Sequence, residues 1–444
     1  KVLRAHYYFE LSRLFNKIPY FDENVEISQY PDIPNNEFTR DEILSMLAKE
    51  MLDAAELLPA SQSEVGRIHK YIALAYAAKI KLYQAYQQDE TTHAVTSINK
   101  ELLREVVSLC DQVTASNRYG LLDDFQGLDL VANENGKESV FAIQYSMNDG
   151  TESAGRINWS NLLNSPGGGS PYGGDGFFLP SQDLINAYQT DANGLPDFNY
   201  QSKSDYSWAV LNNGVYTLQN TTPNVDPRLD FVVGRPTITW KTYPDKPCEG
   251  WVRDKETYGY NCAKRFWVSP ESSDMFNGWP WGASQLNWQI IRYADILLWK
   301  AEALIELNEG DGLETARDLI NQIRNRARNS AYVKDFNDHS KYAANYLVNP
   351  YPADVWNQDY ARQALRWETR LEKALEGERF FDLVRWGIVE TTMNKYITAE
   401  SDNRIYYANA HFTGGKDEYY PVPNNQYGFS GGKYVQNPGY APFN

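Results

Sequence analysis

The chain has 444 residues, and its 42 Lys and Arg against 58 Asp and Glu give a formal net charge of −16. This acidity argues against a nucleic-acid partner, because phosphate backbones are bound by a surplus of basic side chains. The 42% hydrophobic and 23% charged residues are typical of a folded globular protein, and no apolar run approaches the ~18 residues of a membrane-spanning helix. The unusual number is 14% aromatic residues, which serve either a core or a ring-lined surface.

Residues 1–119 predict a block of helices. Leu3, Tyr7, Leu11 and Leu14 form one apolar stripe that ends before Pro19. The segment 39–42, Thr-Arg-Asp-Glu, is a capping box that opens a second helix, and apolar patterns over 68–82 and 102–113 predict a third and a fourth. The first pattern starts at once, without a capping residue, so we expect a further N-terminal segment before residue 1.

Residues 120–286 have a different character. Gly, Pro, Asn and aromatic residues are frequent, and 165–174 must be a loop. Short strand-like runs occur at 139–143 and 231–233, and Ser181 is placed to cap one short helix. This region predicts a large irregular insertion with short strands.

Residues 287–444 return to helices. An apolar face from Asn287 to Ile305, a break at Gly310 and Gly312, and a second face over 316–327 predict a helix pair that resembles tetratricopeptide repeats. A further pair is predicted from Ala361 to Tyr396, and 419–444 is predicted to be an ordered irregular strap. The predicted fold is therefore mainly α, a scaffold of tetratricopeptide-like helix pairs that carries a loop-rich insertion.

Catalytic and metal-binding motifs are missing from the sequence. It has no Walker A loop, no His-Glu-x-x-His, no Gly-x-Ser-x-Gly, and five isolated His residues, so we predict neither a metal site nor a cofactor. The alternating charges of 366–379, Glu368 and Glu372 among them, are interpreted as structural i,i+4 ion pairs rather than a hydrolase carboxylate pair. Cys248 and Cys262 could close a loop as a disulfide or remain two thiols.

The aromatic residues of the insertion are the main chemical signal. The run 277–282, Asn-Gly-Trp-Pro-Trp-Gly, places two indoles on a short, stiff loop. A flat ring can cover the C–H face of a sugar while a neighbouring amide bonds its hydroxyls, although each single ring could instead fill a core. The candidate carbohydrate-binding residues are Trp279, Trp281, Asn277, Trp251, Tyr258 and Tyr172.

Segments along nearly the whole chain resemble the SusD/RagB family, the surface glycan-binding lipoproteins of starch-utilisation-type systems in Gram-negative gut and oral bacteria. The most recognisable segment is Glu376-Gly377-Glu378-Arg379-Phe380-Phe381-Asp382-Leu383-Val384-Arg385-Trp386-Gly387. The other similar segments, in family order, are Leu3-Arg4-Ala5-His6-Tyr7-Tyr8-Phe9, Val65-Gly66-Arg67-Ile68-His69-Lys70, Leu179-Pro180-Ser181-Gln182-Asp183-Leu184, Asp226-Pro227-Arg228-Leu229, Ile291-Arg292-Tyr293-Ala294-Asp295-Ile296-Leu297-Leu298, Tyr419-Tyr420-Pro421-Val422-Pro423 and Gln436-Asn437-Pro438-Gly439-Tyr440.

The resemblance implies a structural role for the recognisable segment, with Arg379 and Asp382 paired to each other or to neighbouring helices, and with Arg385 and Trp386 in the same motif. It also implies an outer-membrane, surface-exposed protein, held by a lipid on an N-terminal Cys that this chain does not contain. The implied partner is a SusC-like TonB-dependent transporter, over whose mouth the protein sits as a lid. Further surface glycan-binding proteins and glycoside hydrolases are implied as neighbours.

The function that the sequence favours is non-catalytic capture of an oligosaccharide and its delivery to the transporter. Three alternatives remain at this stage. One is a peptide-capture lid of the same family type, one is a glycoside hydrolase on a helical scaffold, and one is a purely structural subunit.

Overall fold

A computed structural model describes residues 1–152, 155–159, 163–167, 169–207, 209–213, 215–218, 223–241, 250–279 and 281–443. Helices dominate it, as the sequence predicts, and strands are short. The helices, α1 to α13 in chain order, are Val2–Phe15, Arg40–Leu57, Lys70–Ala85, Lys100–Thr114, Gln182–Ala187, Arg228–Val232, Lys255–Tyr258, Tyr293–Leu307, Gly312–Asn329, Gln358–Glu372, Arg379–Arg385, Val389–Ser401 and Asn424–Phe429. Short 3-10 turns lie at Ile27–Asp32, Phe125–Asp129, Val131–Asn133, Tyr200–Ser202 and Ile405–Tyr407.

The strands, β1 to β10, form two-stranded antiparallel ladders. In chain order they are Tyr86–Gln88, Val95–Ile98, Ser139–Ile143, Gln189–Thr190, Ala209–Asn212, Val215–Leu218, Asn224–Val225, Val233–Gly234, Cys262–Ala263 and Trp288–Arg292. The pairs are β1 with β2, β3 with β10, β4 with β7, β5 with β6 and β8 with β9. The ladder of β3 and β10 joins the start of the insertion to the strand that leads into α8.

Local signals confirm most of the predicted helices. Thr39 and Glu42 form the expected capping box of α2, where the Glu42 amide donates to the Thr39 hydroxyl and the Thr39 amide donates to the Glu42 carboxylate at 2.8 Å. Ser181 caps α5 in the same way through the Leu184 amide. None of the described helices combines the length and the low polarity that crossing a membrane would need.

Two predictions, one within the insertion and one just after it, are wrong. The run 231–233 is mostly the end of α6, and only Val233 continues into a strand. Ile290 and Ile291 belong to β10, so α8 begins at Tyr293 instead of Asn287. In both places β-branched side chains suit either state, and strand pairing decides between them.

The helices stack in an order that bypasses the insertion. Helices α1 to α4 pack in succession, α4 packs on α8, and α8 packs on α9 and α10. Helix α3 is buried almost throughout, and its small residues Ala73, Ala77 and Ala78 let the neighbouring backbones approach closely. The two helical blocks thus form one continuous scaffold, and the residues between them project from it.

The C-terminal strap, described over 419–443, contains α13 and is tied to the first helix by hydrogen bonds. The Tyr420 amide donates to the Leu14 carbonyl at 2.8 Å, and the Asn437 side chain donates to the Phe15 carbonyl at 2.8 Å. Asn35 exchanges two hydrogen bonds with the backbone of Val435, at 3.0 and 2.8 Å. These bonds satisfy backbone groups that an irregular segment would otherwise leave unpaired.

A buried ion-pair network holds the insertion against the helical scaffold. Glu368 and Glu372 of α10 are fully buried, and their partners are distant arginines instead of the expected neighbours on the same helix. The predicted i,i+4 pairing is therefore wrong, because the buried face of α10 turns its carboxylates toward other elements. The pairs are Arg228 with Asp226, Glu368 and Glu372; Arg292 with Glu138, Glu372 and Glu376; Arg324 with Glu368; Arg326 with Glu138 and Glu372; and Arg265 with Asp129 and Glu376.

Candidate functional site

A hairpin at the end of the insertion carries Trp279 and Trp281. Its base is closed by a bridge between Met275 and Ser284 and by the Phe276 amide, which donates to the Ala283 carbonyl at 2.8 Å. The Asp274 carboxylate accepts from the side chain of Gln285 at 2.7 Å. Because the base is held by several bonds, the rings at its tip are positioned by the backbone and need no ligand to order them. Pro280, between the two indoles, lies outside the described residues.

The tip of this hairpin presents indole rings to solvent. Trp279 is 63% exposed and Trp281 50% exposed. Trp159 comes from a different loop and meets Trp279 edge to face, with 5.4 Å between the ring centroids. The Asn158 amide donates to the Ser284 carbonyl at 2.9 Å, which fixes the loop of Trp159 beside the hairpin. We call the three indoles Trp159, Trp279 and Trp281 the indole ledge.

Glycines allow the loop under the ledge to approach closely. Gly173 has a φ of +62°, and a Cβ there would lie 3.2 Å from the Cβ of Trp281. Gly282 has a φ of +74°, and a Cβ there would lie 3.0 Å from the Tyr172 carbonyl oxygen. Both positions require a left-handed backbone without a side chain, so the ledge rests directly on the 165–174 loop.

Tyr172 and Trp251, which the sequence analysis predicted as ligand platforms, are core residues. Tyr172 is fully buried; its hydroxyl donates to the Val268 carbonyl at 2.7 Å and accepts from the Trp240 indole at 2.9 Å. Trp251 is buried against both rings, 4.8 Å from Trp240 and 6.2 Å from Tyr172 between centroids. Neither residue presents a face to a ligand, because a loop-rich region needs large rings to fill a core that regular elements do not supply.

The other predicted residues remain at the surface but in different places. Asn277 is exposed on the same hairpin as the ledge. Tyr258 is 44% exposed at the end of α7, where its ring pairs with Tyr406 at 5.9 Å between centroids. Within the described ranges, no ring contact connects Tyr258 to the ledge, so the sequence-predicted set divides into a ledge, a separate tyrosine pair and a buried core.

Sequence reasoning missed an acidic group behind the hairpin. Glu134 accepts from the Asn287 backbone amide, and burial, opposed by that bond and assisted by the nearby Asp274 charge, raises the pKa of Glu134 to about 7. Glu134 is distant in sequence from the aromatic run, so neither composition nor spacing could have indicated it. The charge of this carboxyl group therefore changes near neutral pH, close to the base of the ledge.

A cavity of about 640 Å³ was also not predicted. It lies beside the 122–137 segment and is bordered by Asp129, Lys241 and Lys264. Lys241 donates to Asp129 at 3.0 Å, and Lys264 donates to the Asp230 and Thr239 carbonyls. These polar groups are bonded within the protein, and the aromatic ring among the described border residues is Phe231, which is buried, whereas the rings of the ledge are exposed.

The recognisable C-terminal motif has a structural role. Arg385 pairs with Glu302 of α8 and donates to Asp382 at 2.9 Å, while the Trp386 indole donates to Glu302 at 2.9 Å. Among the described residues, Asp382 pairs with Arg385 and not with Arg379. The guanidinium of Arg379 lies 5.8 Å from the centre of the Trp386 ring, and burial lowers the pKa of Arg379 to about 9. The motif therefore clamps α11 to α8.

Two further predictions concern cysteines and metals. Cys262 is buried in β9, while Cys248 lies outside the described residues, so the disulfide stays a prediction. In the part of the chain that the structure describes, no three His, Cys, Asp or Glu side chains are grouped as metal ligands.

Comparison with known proteins connects this geometry to a family. The profile of the SusD family matches residues 137–440, more than half of the chain. The chain belongs to the SusD family. It is 24% identical over 443 residues to SusD-like protein P2 of Formosa agariphila, and the alignment covers 98% of this chain and 72% of that protein.

Solved structures of the family share the fold. A SusD homolog from Bacteroides thetaiotaomicron superposes with a TM-score of 0.69 at 18% identity, covering 99% of this chain and 77% of that one. Surface glycan-binding protein A of the same species, solved with laminarihexaose, superposes with a TM-score of 0.57 at 18% identity, covering 98% and 76%. The similarity confirms the mainly helical, tetratricopeptide-like fold.

Proposed function

We propose that this member of the SusD family captures oligosaccharides at the indole ledge without transforming them. The observation that carries the proposal is the edge-to-face pair of Trp159 and Trp279 beside Trp281, held open to solvent on a braced hairpin. Flat exposed rings cover the C–H face of a sugar, and the exposed Asn277 of the same hairpin carries an amide that can bond hydroxyl groups. The complex of a structural relative with laminarihexaose supports a glycan as the ligand class.

We propose further that the captured glycan passes to a SusC-like TonB-dependent transporter at the outer membrane, with a lipid anchor holding the protein at the cell surface. Family membership supports this part. The helical scaffold and the strap would form the docking side, because the ledge belongs to the insertion that projects from them. Copurification of the chain with the transporter of its own operon tests the partner, and release by detergent from outer membranes tests the location.

A non-catalytic role is supported by the state of the carboxylates. Glu368 and Glu372 of α10 are fully buried and bound to arginines, so neither reaches a substrate. Burial would raise the pKa of Glu372, but Arg326, Arg292 and Arg228 lower it to about 2. A hydrolase needs one carboxyl group that stays protonated beside another that does not, both reaching the substrate. Prolonged incubation with oligosaccharides, followed by reducing-end analysis, should show no products.

Isothermal titration against a panel of neutral oligosaccharides, with laminarihexaose first, tests the ligand class. We expect binding of at least one glycan and none of unstructured peptides of similar length. Binding of peptides and of no glycan would replace the proposal with the peptide-capture lid, which would use backbone hydrogen bonds more than stacked rings.

A further inference from the structure

A second cavity lies on the helical side of the molecule, away from the ledge. It measures about 420 Å³ and is bordered by α1, α11, α12 and the chain leading into the C-terminal strap, and none of the described residues of 120–286 is in its border. We call it the strap cavity. Its aromatic border includes Phe380, Phe412, Tyr419, Tyr420 and Tyr440.

One carboxylate in the wall of the strap cavity lacks a full set of partners. Glu418 is 6% exposed, and its Oε1 atom accepts from the Gly415 amide at 3.1 Å. Its Oε2 atom is buried and accepts no hydrogen bond from any described residue. A buried carboxylate oxygen without a donor costs free energy, so such a group marks a place where a donor from outside the chain would be stabilised.

The cations already near the cavity are engaged elsewhere. Arg13 donates to Glu378 at 2.7 Å and also pairs with Glu10, while its guanidinium lies 4.1 Å from the centre of the Phe381 ring. Lys416 is 3.4 Å from Asp417 and lies over the Tyr440 ring, 5.1 Å from its centre. The Lys416 contact shows that a ring of this border attracts an ammonium group, and neither cation reaches the Oε2 atom of Glu418.

We infer that the strap cavity binds an organic cation, a primary ammonium or a guanidinium on an apolar stem. The aromatic side chains of the border would pack against the apolar stem and form cation–π contacts with the charged group. The Glu418 carboxylate, with Asp417 beside it, would form the ion pair with that charged group. Two sources have this chemistry: a Lys or Arg side chain of a partner protein, or a sugar with a free amino group. Because neither the indoles of the ledge nor any other described insertion residue lines the cavity, this site is separate from the ledge.

The experiment titrates the intact chain by ligand-observed NMR with matched probes. Nα-acetyl-lysine methylamide and its arginine analogue represent the protein source, and glucosamine represents the sugar source. Nα-acetyl-norleucine methylamide and N-acetylglucosamine are the corresponding uncharged controls. Binding of the amino-acid probes alone assigns the site to a protein partner. Binding of glucosamine alone assigns it to an amino sugar, provided that glucosamine binds more tightly than N-acetylglucosamine and still binds to Trp279→Ala. Binding of both kinds of probe supports the shared chemistry.

Variants connect the binding to the cavity. Glu418→Gln keeps the shape and removes the charge, so we expect the cation to bind at least about tenfold more weakly. Tyr420→Ala removes an exposed ring of the border without touching the core and should weaken binding severalfold, which keeps the test valid if the first variant folds poorly. The exposed Glu37→Gln is the matched control and should change nothing.

Three results would overturn the inference: no cation saturates the protein, the norleucine probe binds as well as the lysine probe, or both cavity variants bind like the parent chain. Trp279→Ala should leave cation binding unchanged, so a failure of the ledge and a failure of the strap cavity are separable.

Discussion

Two buried regions of the molecule are built from opposite kinds of side chain. Where the insertion meets the helical scaffold, the interior is charged: Arg228 of the insertion and Glu368 and Glu372 of α10 are fully buried in one another's company. Beneath the ledge, the interior is made of rings such as Tyr172 and Trp240, and further rings of the same kind are exposed to solvent. An aromatic residue of this chain is therefore a candidate ligand platform only where its ring is exposed, and its presence in the sequence alone does not indicate a binding site.

The largest expected effect is on the buried network. Glu372→Ala removes the partner of Arg292 at 2.6 Å and of Arg228 at 3.1 Å and leaves buried guanidinium groups without a counter-charge. We expect the free energy of unfolding to fall by about 3–5 kcal/mol in urea titrations. Glu64→Ala breaks only the exposed pair with Arg67 and should give no measurable change. Equal effects of the two substitutions would show that the network has no special role.

A core ring of the insertion should matter for stability to a similar degree. Trp251→Ala leaves a cavity between Trp240 and Tyr172, so we expect a loss of about 3–5 kcal/mol in the same urea titration. An unfolding midpoint like that of the parent chain would mean that Trp251 is available as a ligand platform after all, and glycan titration of the variant would then decide.

Acid should weaken the scaffold through the same carboxylates. The folded-state pKa of Glu372, about 2, lies below its ordinary value of 4.5. Its ionisation therefore contributes stability that is complete above about pH 4.5 and is lost as the pH falls toward 2, amounting to about 3 kcal/mol. The measurement is the stability difference between the parent chain and Glu372→Ala across this range, which should shrink as the pH falls. A difference that stays constant would contradict the assignment.

The ledge should respond in affinity and not in stability. Trp279→Ala removes an exposed ring that packs mainly on Trp159, so unfolding should be unchanged, while the affinity for a bound oligosaccharide should fall by about 1–3 kcal/mol. Calorimetric titration of both proteins measures this. If Trp279→Ala binds every glycan as tightly as the parent chain does, the binding site does not lie at the ledge.

The sequence predicted the scaffold well because its signals are local. Capping at Thr39 and apolar periodicity along α2 and α8 are decided within a few residues of chain. The ion-pair partners of Glu372 could not be predicted, because they come from residues 46 to 144 positions away. The strand at Ile290 could not be predicted either, because its pairing partner β3 lies far away in the sequence, in the insertion.

The ring cluster was only half predictable for the same reason. Trp279 and Trp281 lie in a Gly-Trp-Pro-Trp-Gly run, for which the sequence predicts a short, stiff loop, and both are exposed. Trp159 and Tyr172 both lie in the loop-rich insertion, yet one lies on the ledge and the other in the core. Packing of the 165–174 loop under the hairpin separates them, and that packing depends on contacts that are distant in sequence.

The smallest expected effect tests whether the exposed rings act as one site. Tyr258 pairs with Tyr406 from the C-terminal block, not with the ledge. Tyr258→Ala should therefore change affinity for short oligosaccharides by less than about 0.5 kcal/mol, the ordinary range for a surface substitution. Titration with a short and a long member of one glycan series gives the comparison. A loss confined to the long ligand would mean that the glycan extends from the ledge to the tyrosine pair, and a loss with the short ligand would place Tyr258 within the ledge's own site.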